Sequence, residues 1–173
     1  MERKIITTND GSKTIFLPAW NENYHSKHGA LQEAMHVFIR SGFEHHVKNP
    51  IRILEIGYGS GLNAILTYIA ALDADRSVNY IGLEAFPISD EEQSALAYHE
   101  LEIIKEQQVI FDKMHQAVWN KAETISPSFS LLKLNQTLDQ FAPDQACLDL
   151  IYFDAFGPRV QPEMWHKIQL QKM

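Results

Sequence analysis

Residues 51–72 read IRILEIGYGSGLNAILTYIAAL, a short apolar run joined to a helix-like segment through Gly57, Gly59 and Gly61. An unbroken apolar run of strand length suits a strand covered on both faces, as in a parallel sheet between helices. Glycine weakens strands and helices alike. Three of them at alternate positions mark a turn that must be sharp or must let another group come close. The stretch therefore predicts strand, tight turn and helix, the opening unit of an open α/β sheet.

The rest of the chain repeats the pattern. VNYIGLE (78–84) leads into Pro87 and the helical segment SDEEQSALAYHELEII, which Ser89 or Asp90 can cap, with Glu91 and Glu92 in its first turn. A further helix is predicted near 112–124, a third strand in FSLLKL (129–134), a fourth in LDLIYFDAF (148–156), and a last helix from Pro162. Before the sheet, KIITTNDGSKTIFL reads as a hairpin around Asn9-Asp10-Gly11-Ser12. Ala30, Ala34, Val37, Phe38 and Phe43 then recur at helical spacing, which predicts a helix over roughly 28–41 closed by Gly42. Residues 1–50 thus form a hairpin and helix that cover a site, and residues 51–173 form the α/β core.

With 173 residues and 45% hydrophobic content, the chain can build one real core. No apolar run approaches the roughly 18 residues of a membrane span, and MERKIITTNDGSK carries no signal-peptide core. Cys147 is the single cysteine, so no internal disulfide forms and a reducing, cytoplasmic compartment is expected. Cys147 itself reads as a small core residue rather than a nucleophile. The net charge of −7 argues mildly against a nucleic-acid partner.

Ligands of open α/β sheets bind beyond the carboxyl ends of the strands. The turn's spacing is neither the dinucleotide fingerprint nor a Walker A loop. Taken alone, it is a weak signal, with a tight turn shaped by packing as the lesser alternative. Two carboxylates add meaning. Glu84, at the end of the second strand, is placed to accept both hydroxyls of a ribose; it is otherwise a solvated strand end. Glu55 ends a buried strand, where a carboxylate needs a cation or a donor, and an amino-acid ammonium would suit. A nucleoside joined to an amino acid fits both, which describes S-adenosylmethionine.

Three stretches then resemble one family: LEIGYGSGLN (54–63), NENYHSKHGALQEAMHVFI (21–39) and YFDAFGPRVQPEMW (152–165). Together they resemble the MnmD-type methyltransferases, also found as the N-terminal domain of bifunctional MnmC. The last stretch is long and unusual, and carries more weight than the glycine turn. The resemblance implies a Rossmann-like class I methyltransferase fold with a parallel sheet in the order 3-2-1-4. It also implies an enzyme that uses S-adenosylmethionine to methylate the 5-aminomethyl group of wobble uridine in tRNA. On that resemblance, Gly57, Tyr58, Gly59, Ser60, Gly61 and Asn63 line the methionine and ribose side of the donor, and Glu84 holds the ribose. Asn135 stands where relatives often carry aspartate, and it would reach the adenine. Asp154 lies beside the methyl donor. Tyr24 and Ser26 fold over the pocket, with Glu33 behind them.

The chemistry also follows from the groups themselves. A sulfonium donor already has its leaving group, so the protein mainly positions two reactants. A primary alkylamine is protonated at neutral pH, so a nearby carboxylate must bind it and help remove a proton. Asp154 is the catalytic candidate; alternatively it only contacts the donor's ammonium or a backbone amide. Phe156 and Pro158 either wall the target base or, for Phe156, pack the core.

Other features read more plainly. His25 with His28, and His45 with His46, lack the company a metal site needs, so no metal is expected. Trp20, Trp119 and Trp165 read as core or loop anchors. The pairs Lys48–Arg52 and Lys27–Arg159 either touch phosphate or are solvated. No catalytic set for an NAD-dependent oxidoreductase is present, and the glycine spacing is wrong for one.

Later strands that the family would supply do not follow Trp165. The fourth strand would then be an apolar sheet edge, covered by a second copy or by the C-terminal helix. The competing function is a truncated, non-catalytic methyltransferase fold that binds the donor or serves as an interaction module.

Overall fold

Strand β4 (Ile51–Ile56) is buried almost along its whole length, and its alternate side chains feed two different cores. Ile51 and Ile53 point to a large cluster with the helix α2 (Leu62–Asp73) residues Leu62, Ile65 and Leu66. Leu54 and Ile56 point to a smaller cluster with Leu83, Leu138 and Phe141. Period-two alternation on a strand with both faces covered requires this division.

These relations come from a computed structural model that describes residues 2–142 and 148–171. Cys147 lies outside the described residues. Beside β4 run β5 (Val78–Leu83), β7 (Phe129–Leu134) and β8 (Leu150–Phe153), all parallel, with β6 (Ala122–Ser126) antiparallel at the far edge. The order across the sheet is β6-β7-β5-β4-β8. A mixed α/β protein with a mostly parallel sheet is what the alternating pattern predicted.

Several boundaries differ from the sequence expectation. The helix expected near 112–124 is α5 (Gln108–Gln116), and the rest of that segment is a turn over 117–121 and the start of strand β6. The β6 side chains alternate only weakly in burial, as an edge strand's do, so no period-two signal marks them. The helix expected from Ser89 is α3 (Asp90–Leu96), which stops where Ala97 adopts φ 51°; a short helix α4 (Glu102–Lys105) follows. Ser89 caps α3: its hydroxyl accepts from the Glu92 N–H and the Glu92 carboxylate accepts from the Ser89 N–H. The fourth strand covers only Leu150–Phe153 of the expected run.

The hairpin pairs β1 (Lys4–Thr7) with β2 (Lys13–Leu17), and β3 (Glu22–Asn23) adds a third strand. At its tip the Asp10 carboxylate accepts from Thr8, from both the N–H and hydroxyl of Ser12, and from the Gln32 N–H. That last bond ties the hairpin to helix α1 (Ala30–Ala34), which continues as a wider π-helical stretch, Met35–Arg40. Ile15, Leu17, Ala30 and Ala34 join the core of the main sheet. The hairpin and α1 are thereby held over one end of that sheet.

At the opposite edge, the Trp165 ring meets Phe153 edge-on at 4.9 Å, and Met164 packs against the smaller core. The C-terminal turn Pro162–Trp165 and helix α6 (Lys167–Leu170) thus fold toward β8. No helix among the described residues is long and apolar enough to cross a membrane.

Candidate active site

The carboxyl ends of β4, β5 and β8 open into a cavity of about 1050 Å³. Ligand pockets typically run roughly 300–1,000 Å³, so this one has room for two reactants. The hairpin supplies one wall through Trp20, Asn23 and Tyr24, and the C-terminal turn supplies another through Gln161 and Met164.

The glycine turn serves two needs. A Cβ on Gly57 would stand 2.3 Å from the Asp154 carbonyl oxygen, so this glycine lets β4 and β8 close on each other. Gly59, at φ 49°, faces the cavity; a Cβ there would meet the Tyr24 ring at 3.5 Å and the Gly57 carbonyl oxygen at 3.8 Å, both ordinary contacts. Gly61 caps α2 and does not line the cavity. Gly57 and Gly59 both line the cavity, and Gly59 has the more room beside its backbone.

Glu84 lies just past β5, and its carboxylate is already oriented. One oxygen accepts the Gly59 N–H at 2.8 Å and the other the Phe86 N–H at 2.9 Å. Each carboxylate oxygen keeps a further lone pair for a donor from the cavity.

The polar centre is the group Glu55, Asn63 and Asp154. The Asn63 amide nitrogen donates to Glu55 Oε1 at 2.8 Å and to Asp154 Oδ2 at 2.9 Å. The Tyr80 hydroxyl donates to Glu55 Oε2 at 2.8 Å. Glu55 is fully buried and is not part of the cavity wall, which corrects the expectation that it meets a ligand's ammonium. The donors it needs come from Asn63 and Tyr80. Burial, and then the neighbouring Asp154 charge, hold its carboxyl well above the usual range. Asp154 does line the cavity. Burial pushes its carboxyl up to about 7, the Asn63 bond opposes this, and the charges of Glu33 and Glu84 add to it.

Among the other expected residues, Ser60, Tyr24, Ser26, Glu33 and Phe156 line the cavity. The Ser26 N–H donates to Glu33 at 2.6 Å. Phe156 is held edge-on by Trp20 and Tyr24, both at 5.4 Å. Tyr58 contributes to the wall, but its ring turns into the core against Trp119 and over Gly82. Two expectations are corrected. Asn135 spends its amide on the carbonyls of Glu84 and Ala85, and the wall here is built by residues 136–139. Pro158 is exposed and outside the cavity. The basic pairs also resolve: Lys48 and Arg52 both bond to Asp149, and Arg159 bonds to Glu22. Among the described residues, no three His, Cys, Asp or Glu side chains cluster as a metal site.

Sequence reading missed Arg3. Its guanidinium donates to the carbonyls of Phe86 and Pro87 and to Glu92, and lies 5.9 Å from the centre of the Tyr24 ring. It fastens the N-terminal strand to the loop after Glu84. Nothing near Arg3 in the sequence signals a contact so remote. Among the described residues, seven carboxylates line the cavity (Glu22, Glu33, Glu84, Glu92, Asp139, Asp154 and Glu163) against the single guanidinium of Arg3. Burial lowers His25 to about 4, so it adds no positive charge near neutral pH. The cavity therefore favours cations.

Fold and cavity define a Rossmann-like α/β protein with its cavity beyond the carboxyl ends of the parallel strands, where ligands of such folds bind. The solved structure of MnmC2 from Aquifex aeolicus is similar in fold, with a TM-score of 0.75 and 22% identity, over 99% of this chain and 55% of that one. No protein-family model matches the chain. Curated sequences do. The bifunctional protein MnmC of Leptospira borgpetersenii serovar Hardjo-bovis (strain JB197) is 31% identical over 162 residues, 86% of this chain and 24% of that protein. The MnmC of Paracidovorax citrulli (strain AAC00-1) is 29% identical over 168 residues, 88% of this chain and 25% of that one. Both are named for tRNA 5-methylaminomethyl-2-thiouridine biosynthesis. Over most of its own length the chain is similar to MnmC/MnmD-like proteins, and it spans about a quarter of the length of these curated relatives.

Proposed function

We propose that this chain is an S-adenosylmethionine-dependent N-methyltransferase, and that its acceptor is the 5-aminomethyl group of wobble uridine in tRNA. The observation that carries the reading is the placement of Asp154 and Glu84 on either side of the glycine turn, facing one acidic cavity. The relatives' names contain the methylated product of that transfer.

The residues fit the donor. Gly59 leaves its backbone open to a ligand, and Glu84 presents free lone pairs for ribose hydroxyls. The surplus of carboxylates suits a sulfonium and an ammonium. When bound, S-adenosylmethionine supplies a methyl group on positively charged sulfur. Asp154 first holds the acceptor as its ammonium, then takes the proton that frees the nitrogen lone pair. Transfer would form the new N–C bond as the donor's C–S bond broke, with the electron pair left on sulfur and the amine's proton on Asp154. A carboxyl near 7 is matched to that proton transfer. Phe156, braced by Trp20 and Tyr24, offers an aromatic wall to the base. The acidic cavity keeps phosphates outside, so only the amine-bearing base enters.

Calorimetric titration with S-adenosylhomocysteine tests the donor site, with Gly59→Arg as the blocked control. The reading expects micromolar binding that the control loses, followed by methyl transfer to tRNA carrying 5-aminomethyluridine. A folded wild-type chain that binds neither donor nor product overturns it.

A further inference from the structure

We infer that Glu55 and Tyr80 are positioning residues: they fix the side chain of Asn63, and Asn63 fixes the carboxyl group of Asp154 at the cavity wall. Neither Glu55 nor Tyr80 lines the cavity, so any effect they have on the site passes through another group.

The geometry makes a connected chain. The Tyr80 hydroxyl donates to Glu55 Oε2, and the Asn63 amide nitrogen donates to Glu55 Oε1 and Asp154 Oδ2. A side-chain amide has two N–H donors, and here both are used. Turning the amide over would aim its oxygen at two carboxyl groups, so those groups select one orientation. Asn63 is 2% exposed, and its backbone carbonyl accepts from the Thr67 hydroxyl, which in turn meets the Tyr152 hydroxyl at 3.2 Å; the Asn63 side-chain oxygen is buried with no hydrogen-bond partner among the described residues. Tyr80 is anchored in the core against Phe129 and Tyr152. The anchor of the chain is therefore the sheet, and its free end, Asp154, is the member of the chain's carboxyl pair that lines the cavity.

The arrangement is costly unless it has a use. Glu55 is a fully buried carboxyl held by two neutral donors, and an apolar residue of similar size would pack there without desolvation. The titratable groups that face the pair are carboxyls and phenols: Glu33 on α1, Glu84 after β5 and Tyr98 around Asp154, and Tyr58, Tyr80 and Tyr152 around Glu55.

The inference rests on reading Asp154 as the carboxylate at the reacting nitrogen, but its test needs no turnover. The chain is labelled with aspartate carrying a ¹³C carboxyl, Asp154 is assigned through Asp154→Asn, and its titration is followed by NMR. Thermal unfolding of each variant is recorded beside it. In Glu55→Leu, Asn63 loses its anchor and Asp154 its fixed donor, so the Asp154 midpoint rises by about one pH unit. In Glu55→Gln the side-chain oxygen still accepts from Asn63 while the Tyr80 hydroxyl turns to accept from the new amide, so the midpoint returns to the wild-type value. Tyr80→Phe gives a smaller rise. Equal lowering in both Glu55 variants would show that Glu55 acts only as a charge and overturn the inference. So would an unchanged midpoint with loss of stability, which is a packing role. Should Glu55→Leu not fold, Asn63→Leu must give the rise and Glu55→Gln must give no lowering. Absence of S-adenosylhomocysteine binding would remove the methyl-transfer reading and leave this result standing.

Discussion

Residue 57 is so close to Asp154 that a Cβ there would lie 2.3 Å from the Asp154 carbonyl oxygen. The other face of this relationship is a backbone bond, the Asp154 N–H donating to the Ile56 carbonyl at 2.9 Å. The first glycine of the turn therefore sets where the cavity carboxylate stands. Gly57→Ala is expected to cost at least about 3 kcal/mol, from φ 89° strain and a clash with backbone that cannot yield. Gly59→Ala, with room at 3.5 Å, is expected to cost about 1 kcal/mol and to weaken S-adenosylhomocysteine binding. Urea unfolding and calorimetry separate the two effects.

Replacing Asp154 by Asn is expected to lower methyl transfer roughly 10²–10⁴-fold while leaving S-adenosylhomocysteine affinity within a few-fold. In the wild type, activity requires the ionised carboxyl, so kcat/KM rises tenfold per pH unit and levels off above about 7. Stability runs the other way. The folded carboxyl is raised, so its stabilising contribution is complete below the unfolded value near 4 and is lost as pH rises through about 7. Asp154→Asn should therefore gain stability over wild type at pH 8 but not at pH 4, which thermal unfolding at both values will show.

Glu84→Ala removes the acceptor for the Gly59 and Phe86 N–H groups and the proposed partner of the ribose. S-adenosylhomocysteine should bind roughly 10–100-fold more weakly, since hydrogen bonds to a charged group carry about 1.5–3 kcal/mol. A ligand lacking the ribose hydroxyls should lose the same factor in the wild type and no further affinity in the variant. A full additional loss in the variant would remove Glu84 from the ribose site.

Asp149 offers a control far from the cavity. Its carboxylate accepts from the backbone and guanidinium of Arg52 and from Lys48 at 2.7 Å. Those bonds, from the Arg52 side chain first, hold its carboxyl well below the usual range. Its stabilising effect is therefore present above about pH 4 and is lost as pH falls below that value. Asp149→Asn should cost about 1–2 kcal/mol at neutral pH, a figure reduced for the exposure of Lys48 and Arg52, and progressively less as pH falls below about 4 toward the lowered folded value. Donor binding should be unchanged.

The alternating strands and helices, the glycine turn, Glu84 and Asp154 were all legible in the sequence. Their signals are local: apolar runs of strand length, glycines at a strand end, and carboxylates where a strand stops. The capping box at Ser89 and Glu92 is local for the same reason. Strand β6 was not legible, because an exposed edge strand carries too little burial to show a period.

The tertiary structure alone decided which groups meet. Glu55 is the next-to-last residue of β4 and Asp154 the first residue after β8, and nothing in their own segments says that one turns inward and the other faces the cavity. That follows from the parallel pairing of β4 with β8, which sets the two carboxyls on either side of the Asn63 amide. Arg3 reaches Glu92, and Trp20 and Tyr24 reach Phe156, across separations that no periodicity encodes. Local chemistry fixes what each segment can be, whereas the assignment of partners belongs to the packed sheet, where one residue's neighbours come from several strands at once.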